Sequence, residues 1–262
     1  MSEKTVLDTA HAAMTANPED VSLRMSFYAV LADIEVFLLL DAAPKAGSIE
    51  PQMIAVEGEN YVLGFDSAER LASFAGGAAP YAALSGRIMA QMLASERAGL
   101  ALNLEVASSS IMLPAEALVW MRDTLQAAPQ EAEPAPKRKS GLAALRSPDI
   151  PEVLLHALDA KLSRAAGLAQ VAYLVSKEEG GLMLAILGAK EPAQAPLAKA
   201  ASEALVFSGL EDMALDVAFF NDSPGLRAQF GQAGLRFDVP QPSPLTGPAT
   251  PGSDPAKPPK LR

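Results

Sequence analysis

The sequence predicts an α+β fold arranged as two small mixed domains on a linker, and three observations carry that reading. Apolar runs of strand length, such as Val36–Leu40 and Leu215–Phe220, are interspersed with longer stretches bearing helix start and stop signals. Helices and strands mix without a strict βαβ alternation, which argues against a doubly wound parallel sheet. Residues 127–148, AAPQEAEPAPKRKSGLAALRSP, are rich in Ala, Pro and charge and hold no sustained apolar period, so they read as a semi-rigid linker. The expected organisation is a domain over 1–127, a linker over 128–148, a domain over 149–239 and a tail over 240–262. That tail carries eight prolines between Pro240 and Pro259 and buries too little apolar surface to offset its ordering entropy, so it is expected to be disordered.

In the first domain a helix is expected over Glu3–Ala16, and a second opens at Asn17-Pro18, a cap followed by proline in the first turn. Ile34–Leu40 is a buried strand, too short and continuous for an amphipathic helix. Met53–Val56 and Tyr61–Phe65 flank Glu57-Gly58-Glu59-Asn60 as a hairpin. A helix over Ser85–Glu96 stops near Gly99, a strand follows over Leu100–Val106, and Pro114–Leu125 is a helix with proline at its start. The second domain opens with a helix over Glu152–Ala166. A hairpin over Val171–Val175 and Leu182–Leu187 turns on glycines that accept positive φ. A helix over Pro196–Phe207, a strand over Leu215–Phe220, a short helix over Leu226–Gly231 and a strand over Leu235–Val239 complete it.

Composition excludes several functions. The chain has 262 residues and no cysteine, so disulfides, thiolate catalysis and zinc–thiolate sites are ruled out. Its longest apolar runs fall far short of the roughly 20 residues that span a bilayer. The first residues, MSEKTVLDTAHAAM, lack the apolar core of a signal peptide, and a cytoplasmic location is expected. Net charge is −10, and both folded parts are acidic, so a nucleic-acid partner is not expected. Lys137-Arg138-Lys139 falls in the linker and reads as a solvated charge run.

Two segments echo each other: YVLGFDSAERLASF over 61–74 and DVAFFNDSPGLRAQF over 216–230. Each has an apolar run, an Asp-Ser pair, an arginine a few residues on and a closing phenylalanine. The plain reading is helix capping, because a helix leaves its first N–H groups unpaired and a short side-chain oxygen can accept from one. Asp66, or Ser67 beside it, caps the first helix, with Glu69 placed to reach back as a capping box. Ser223 caps the second, with Pro224 at the first helical position. The other reading is a ligand site in which Asp66, Ser67 and Asn103 meet an anion at a helix N-terminus.

A search for catalytic chemistry finds little. His11 shares a helix face with Leu7 and Met14, and His156 flanks the stripe Leu155, Leu158, Leu162. No HxxxH, GxSxG or SxxK spacing occurs, so neither a metal site nor an activated serine is predicted. Asp33 with Glu35, and Glu57 with Glu59, are carboxylate pairs that could divide their pKa values, and they read more simply as solvated strand ends and turns. The helix bearing Ile88, Met89, Met92 and Leu93 has core spacing.

The stretch from Ile34 to Met121 resembles the N-terminal domain of the SseB family, named for enhanced serine sensitivity. The strand VFLLL, the segment YVLGFDSAERLASF, and YAALSGRIMAQML, GLALNLEV and IMLPAEALVWM carry the likeness. PEVLLHALDAKL, VAYLV, LAILG and LDVAFF resemble the family's C-terminal domain. Asp66 stands where the family tends to have Thr, and Asn103-Leu104-Glu105 where it commonly has Asn-Pro-Gly. The resemblance implies a small cytoplasmic bacterial protein linked to serine tolerance, with no catalytic residues to carry over and no cofactor. The expectation is therefore a non-enzymatic accessory protein with a protein partner. Its alternative is a binder of amino acids or anionic metabolites, or an enzyme, built on Asp66, Ser67 and Asn103.

Overall fold

Apolar strands of five to seven residues cannot hide both faces alone, and here two sheets each collect helices to cover them. The computed structural model describes residues 3–44, 48–129, 145–178, 180–210 and 213–242. In chain order the first elements are α1 (Val6–Ala16), α2 (Val21–Asp33), β1 (Glu35–Leu39), β2 (Met53–Val56), β3 (Glu59–Phe65) and α3 (Ala68–Ala75). Then come β4 (Tyr81–Ser85), α4 (Gly86–Glu96), β5 (Gly99–Leu102), β6 (Ile111–Leu113) and α5 (Ala115–Gln126). The remainder runs α6 (Glu152–Ser163), β7 (Val171–Ser176), β8 (Leu182–Leu187), α7 (Glu191–Val206), β9 (Leu215–Phe220), α8 (Pro224–Ala233) and β10 (Leu235–Asp238). The fold is α+β, as predicted.

The first sheet has the order β4-β1-β3-β5-β6, with β2 also on β3; only β3 and β5 run parallel. Strand periodicity of two sorts its side chains. Val36, Leu38, Val62, Leu100 and Leu102 face α1, α2, α4 and α5 with Leu7, Phe27, Leu31, Met89 and Leu118. Leu39, Leu63, Phe65 and Ala101 face the other way, towards Leu71 and Phe74 of α3. Each such buried Leu or Phe contributes about 1.5–3 kcal/mol. Gly86 lets α4 close on α2, because a Cβ there would stand 1.7 Å from the Leu31 carbonyl oxygen.

The second sheet is β10-β7-β8-β9, with α7 crossing between the parallel pair β8 and β9. Leu154, Leu158, Leu162, Leu184, Ile186 and Leu197 fill one side, and Tyr173, Val175, Leu187 and Phe230 the other. The turn between β7 and β8 places Gly180 and Gly181 at φ +92° and +82°, as the sequence required.

Several expected boundaries are corrected. Asn17 ends α1, and Asp20 caps α2 by accepting from the N–H groups of Ser22 and Leu23, so Asn17-Pro18 is not a helix start. The helix expected from Pro196 begins at Glu191; Pro196 sits inside it, early enough that the missing N–H costs one bond near the N-terminal end. The expected linker does not stay apart to residue 148, because Arg146 exchanges backbone hydrogen bonds with Ser176 of β7. Gly167 donates to the Pro240 carbonyl and Gln241 to that of Ala169, so the start of the expected tail belongs to the fold. Linker residues 130–144 and tail residues 243–262 lie outside the described residues.

Candidate functional site

The turn from β3 into α3 sets the first site. Ser67 is the N-cap of α3, its hydroxyl accepting from the Arg70 N–H at 3.2 Å. Asp66 is therefore not the cap, and the expected box with Glu69 does not form. Its side chain, 2% exposed, turns into the fold and accepts from Arg70 Nη1 at 2.8 and 2.9 Å. The Asp66 N–H donates to Asn103 Oδ1 at 3.1 Å. The structure thus brings Asp66, Ser67 and Asn103 to one place, and fills that place with the chain's own groups.

Those groups come from α1 and the loop after β5. The Thr5 hydroxyl caps α1 by accepting from the Asp8 N–H, Asp8 answers by accepting from the Thr5 N–H, and the same hydroxyl donates to Asp66 Oδ2 at 2.7 Å. Asp8 receives Arg70 through Nη1 at 3.0 Å and through Nη2, and also the hydroxyl of Ser109. Asn103 Nδ2 donates to Ser109 Oγ at 2.9 Å and closes the ring. Burial pushes the Asp8 carboxyl upward, but the bonds from Arg70, Ser109 and Thr5 outweigh it and hold the group well below the ordinary carboxylate range. One guanidinium, 3% exposed, is clamped between two carboxylates. Arg70 Nε alone has no hydrogen-bond partner among the described residues. An arginine so held cannot reach an incoming anion without first releasing Asp8 or Asp66.

Asn103 and Glu105 both lie in the left-handed region, at φ +53° and +59°. Glu105 stands where the resembling family has glycine, and its backbone takes a conformation that glycine adopts without strain.

A second cluster joins the two sheets' layers, and sequence reasoning missed it. Asp33, read as a solvated strand end, accepts from Arg87 at 2.8 Å and from Lys161 at 2.8 Å, and forms an ion pair with Arg164 at 2.6 Å. Glu203 on α7 takes both amino groups of Arg87 at 2.7 and 2.6 Å, and Lys161 at 3.1 Å. Burial raises both carboxyls, and the bonds and charges of Lys161 and Arg87 overcome it, lowering both. Beside it Phe207 enters the first core, edge-on to Trp120 at 6.0 Å, and Gly209 lies so close to Ser22 that a Cβ would meet its Cα at 3.2 Å.

An open groove of about 690 Å³ lies between the β2–β3 turn and α5. Among the described residues, Glu59, Glu116 and Asp123 line it with one cation, Arg97, and Trp120 is on its wall. The Tyr61 hydroxyl donates to Glu59 at 2.8 Å; that bond, burial and the charges of Glu59, Glu116 and Glu57 raise its pKa. Among the described residues no three His, Asp or Glu side chains gather as a cation site. His11 packs edge-on to Phe27 at 5.9 Å, whereas His156 is exposed on α6. No helix among the described residues is long and apolar enough to cross a membrane.

The signals that were missed differ in kind. Asp66 lies just before the α3 cap and four residues ahead of Arg70, and Thr5-x-x-Asp8 is a capping pattern, so both were legible locally. The meeting of Asp8 with Arg70, 62 residues away, was not.

Fold and sites together define an α+β protein in which Asp8, Asp66, Arg70, Asn103 and Ser109 engage one another and an acid-lined groove stands open. Residues 7–120 match the family model described as SseB protein N-terminal domain. No curated protein and no solved structure matched the chain.

Proposed function

We propose that this chain is a non-enzymatic accessory protein of the SseB type, acting in the cytoplasm by binding another protein and contributing to serine tolerance. In this proposal residues 1–127 and 149–239 are separate domains, the second also SseB-like. The observation that carries it is the engagement of Asp66, Ser67 and Asn103. Their side-chain oxygens serve Arg70, Thr5 and backbone N–H groups of the same chain, which leaves no poised nucleophile or base there. The groove beside Trp120 remains open to a partner.

The second reading is a small-molecule binder, because a groove of this volume falls within the range that holds ligands. Its acidic lining favours cationic or zwitterionic compounds over phosphorylated ones. The chain's single tryptophan lies on the groove wall, so its fluorescence reports occupancy directly. Titrating the full chain with amino acids, phosphorylated metabolites and each purified candidate partner separates the readings. A stoichiometric spectral change with one protein, lost in Glu116→Lys, supports the lead. A saturable change with one metabolite class, with a matching rise in melting temperature, would replace it with the binder.

A further inference from the structure

Among the strands at sheet margins, β9 is the longest, with six residues. Its inner side is fully paired with β8 in parallel register from Leu215 to Phe220. The Ala214 carbonyl accepts from the Leu182 N–H at 3.1 Å and the Phe220 carbonyl from the Gly188 N–H at 2.9 Å, so the even-numbered residues direct their backbone at β8. In an extended strand the N–H and C=O of one residue point to the same side and those of its neighbours to the other. Leu215, Val217 and Phe219 therefore turn three N–H and three C=O groups outward, and no described residue pairs with them.

Bare edges of this kind template further pairing, and proteins blunt them with charge, proline, shortness or a bulge. Two of the other margins, β10 and β6, are blunted. β10 has four residues, two of them the charged Arg236 and Asp238, and β6 has three. β4 runs straight into α4, where its last residue, Ser85, becomes the helix cap. β9 carries no proline, and its one charge, Asp216, is held by Lys177.

We propose that β9 is a self-association edge: two copies of the chain pair β9 with β9 antiparallel about Val217, joining their four-stranded sheets into one. This register sets Val217 against Val217 and Leu215 against Phe219, and all outward groups of both strands find partners. Asp216 falls opposite Ala218, not opposite its own copy. A register centred on Asp216 would oppose two carboxylates, and one centred on Ala218 would leave Leu215 unpaired; like charges directly opposite are unfavourable. The side chains are already sorted for it. Leu215, Val217 and Phe219 pack on the core side that Leu184 and Leu197 fill, and Phe220 lies 5.3 Å from Phe230 on the other. Because each copy carries a net charge of −10, added salt screens their repulsion and strengthens the pair. The inference holds whichever protein the chain serves.

Sedimentation equilibrium of the full chain at low and high salt tests it. The expected result is a monomer–dimer equilibrium that shifts to dimer as salt rises. Val217→Pro removes an outward N–H that β8 does not use, and proline is tolerated on edge strands, so the dimer should be lost while circular dichroism and melting temperature are retained. Should that variant fail to fold, hydrogen exchange on the wild type decides. The amides of Leu215, Val217 and Phe219 should be protected in concentrated solution and exchange rapidly when diluted. A wild type that stays monomeric in high salt, a dimer that dissociates with salt, or a dimer that survives Val217→Pro would each overturn the proposal.

Discussion

The two Asp-Ser junctions are built alike and live differently. In each, the serine caps the following helix by accepting from the N–H three residues on, Ser67 from Arg70 at 3.2 Å and Ser223 from Leu226 at 3.3 Å. In each, the aspartate grips an arginine of the helix it precedes, Asp66 with Arg70 and Asp222 with Arg227. The first pair is 2–3% exposed and shares its arginine with Asp8; the second is 30–40% exposed and stands alone. One local motif thus supplies a core polar network in one place and a solvated surface pair in another. Burial decides which, since removing one partner of a buried pair strands a charge in low dielectric whereas water replaces a surface partner.

The comparison breaks first at the arginines. Arg70→Ala leaves Asp8 and Asp66 buried without their cation and should cost about 3–5 kcal/mol in denaturant unfolding. Arg227→Ala should leave the unfolding midpoint unchanged. Equal losses at the two sites would mean that burial does not separate the junctions.

Next in size is the cluster between the sheets' layers. Asp33→Ala leaves Lys161 and Arg87 with Glu203 but deprives Arg164 of its carboxylate partner, and should cost about 1.5–3 kcal/mol, the range for hydrogen bonds to charged groups. The loss should shrink in high salt, because Arg87 and Arg164 reach solvent, whereas the Arg70→Ala loss should not. Matching salt dependence in both would place the two networks in the same environment.

The caps should then agree. Ser67→Ala and Ser223→Ala each remove the side-chain acceptor of one backbone N–H and should each cost about 0.5–2 kcal/mol, read from chemical denaturation. This is the property the two junctions share, and a large difference would show that the buried network has drawn the cap into itself.

Acid sharpens the contrast further. The Asp8 pKa is depressed in the folded chain, so its contribution is fully present above the ordinary Asp value near 4 and is lost as pH falls through the lower folded value. Wild type should lose stability on acidification below about pH 4, and Asp8→Asn should show a shallower slope across that window, measured as unfolding midpoint against pH. An identical slope would show that Asp8 is not the group carrying the acid limb. The smallest effect expected is a gain: Glu105→Gly relieves a left-handed backbone and should stabilise by about 0.5–1 kcal/mol in the same unfolding assay.

Local chemistry was enough to locate most elements. Apolar runs marked β1, β7, β8 and β9; Ser223-Pro224 fixed the start of α8; and Gly180-Gly181 fixed the turn before β8. β4 escaped because Tyr81-Ala82-Ala83-Leu84 offers weak alternation and Ser85 signals a helix; it is a strand only because β1 pairs with all five of its residues. β6, three residues long, is likewise defined by its neighbour β5.

The choice between Asp66 and Ser67 as cap belongs to the same divide. Either side chain can reach the first turn, so sequence left both open, and the presence of Arg70, Thr5 and Asn103 drew Asp66 inward. Asp33 drew notice in the sequence only beside Glu35, and its cations were not legible, since they lie 54 and 128 residues on, at Arg87 and Lys161. The sequence by itself determined where the strongly apolar strands form and that each Asp-Ser junction opens a helix, because those depend on a side chain and its nearest backbone. Only the tertiary structure decided which charges meet, because ionic partners are chosen by distance in space and by how much water burial removes.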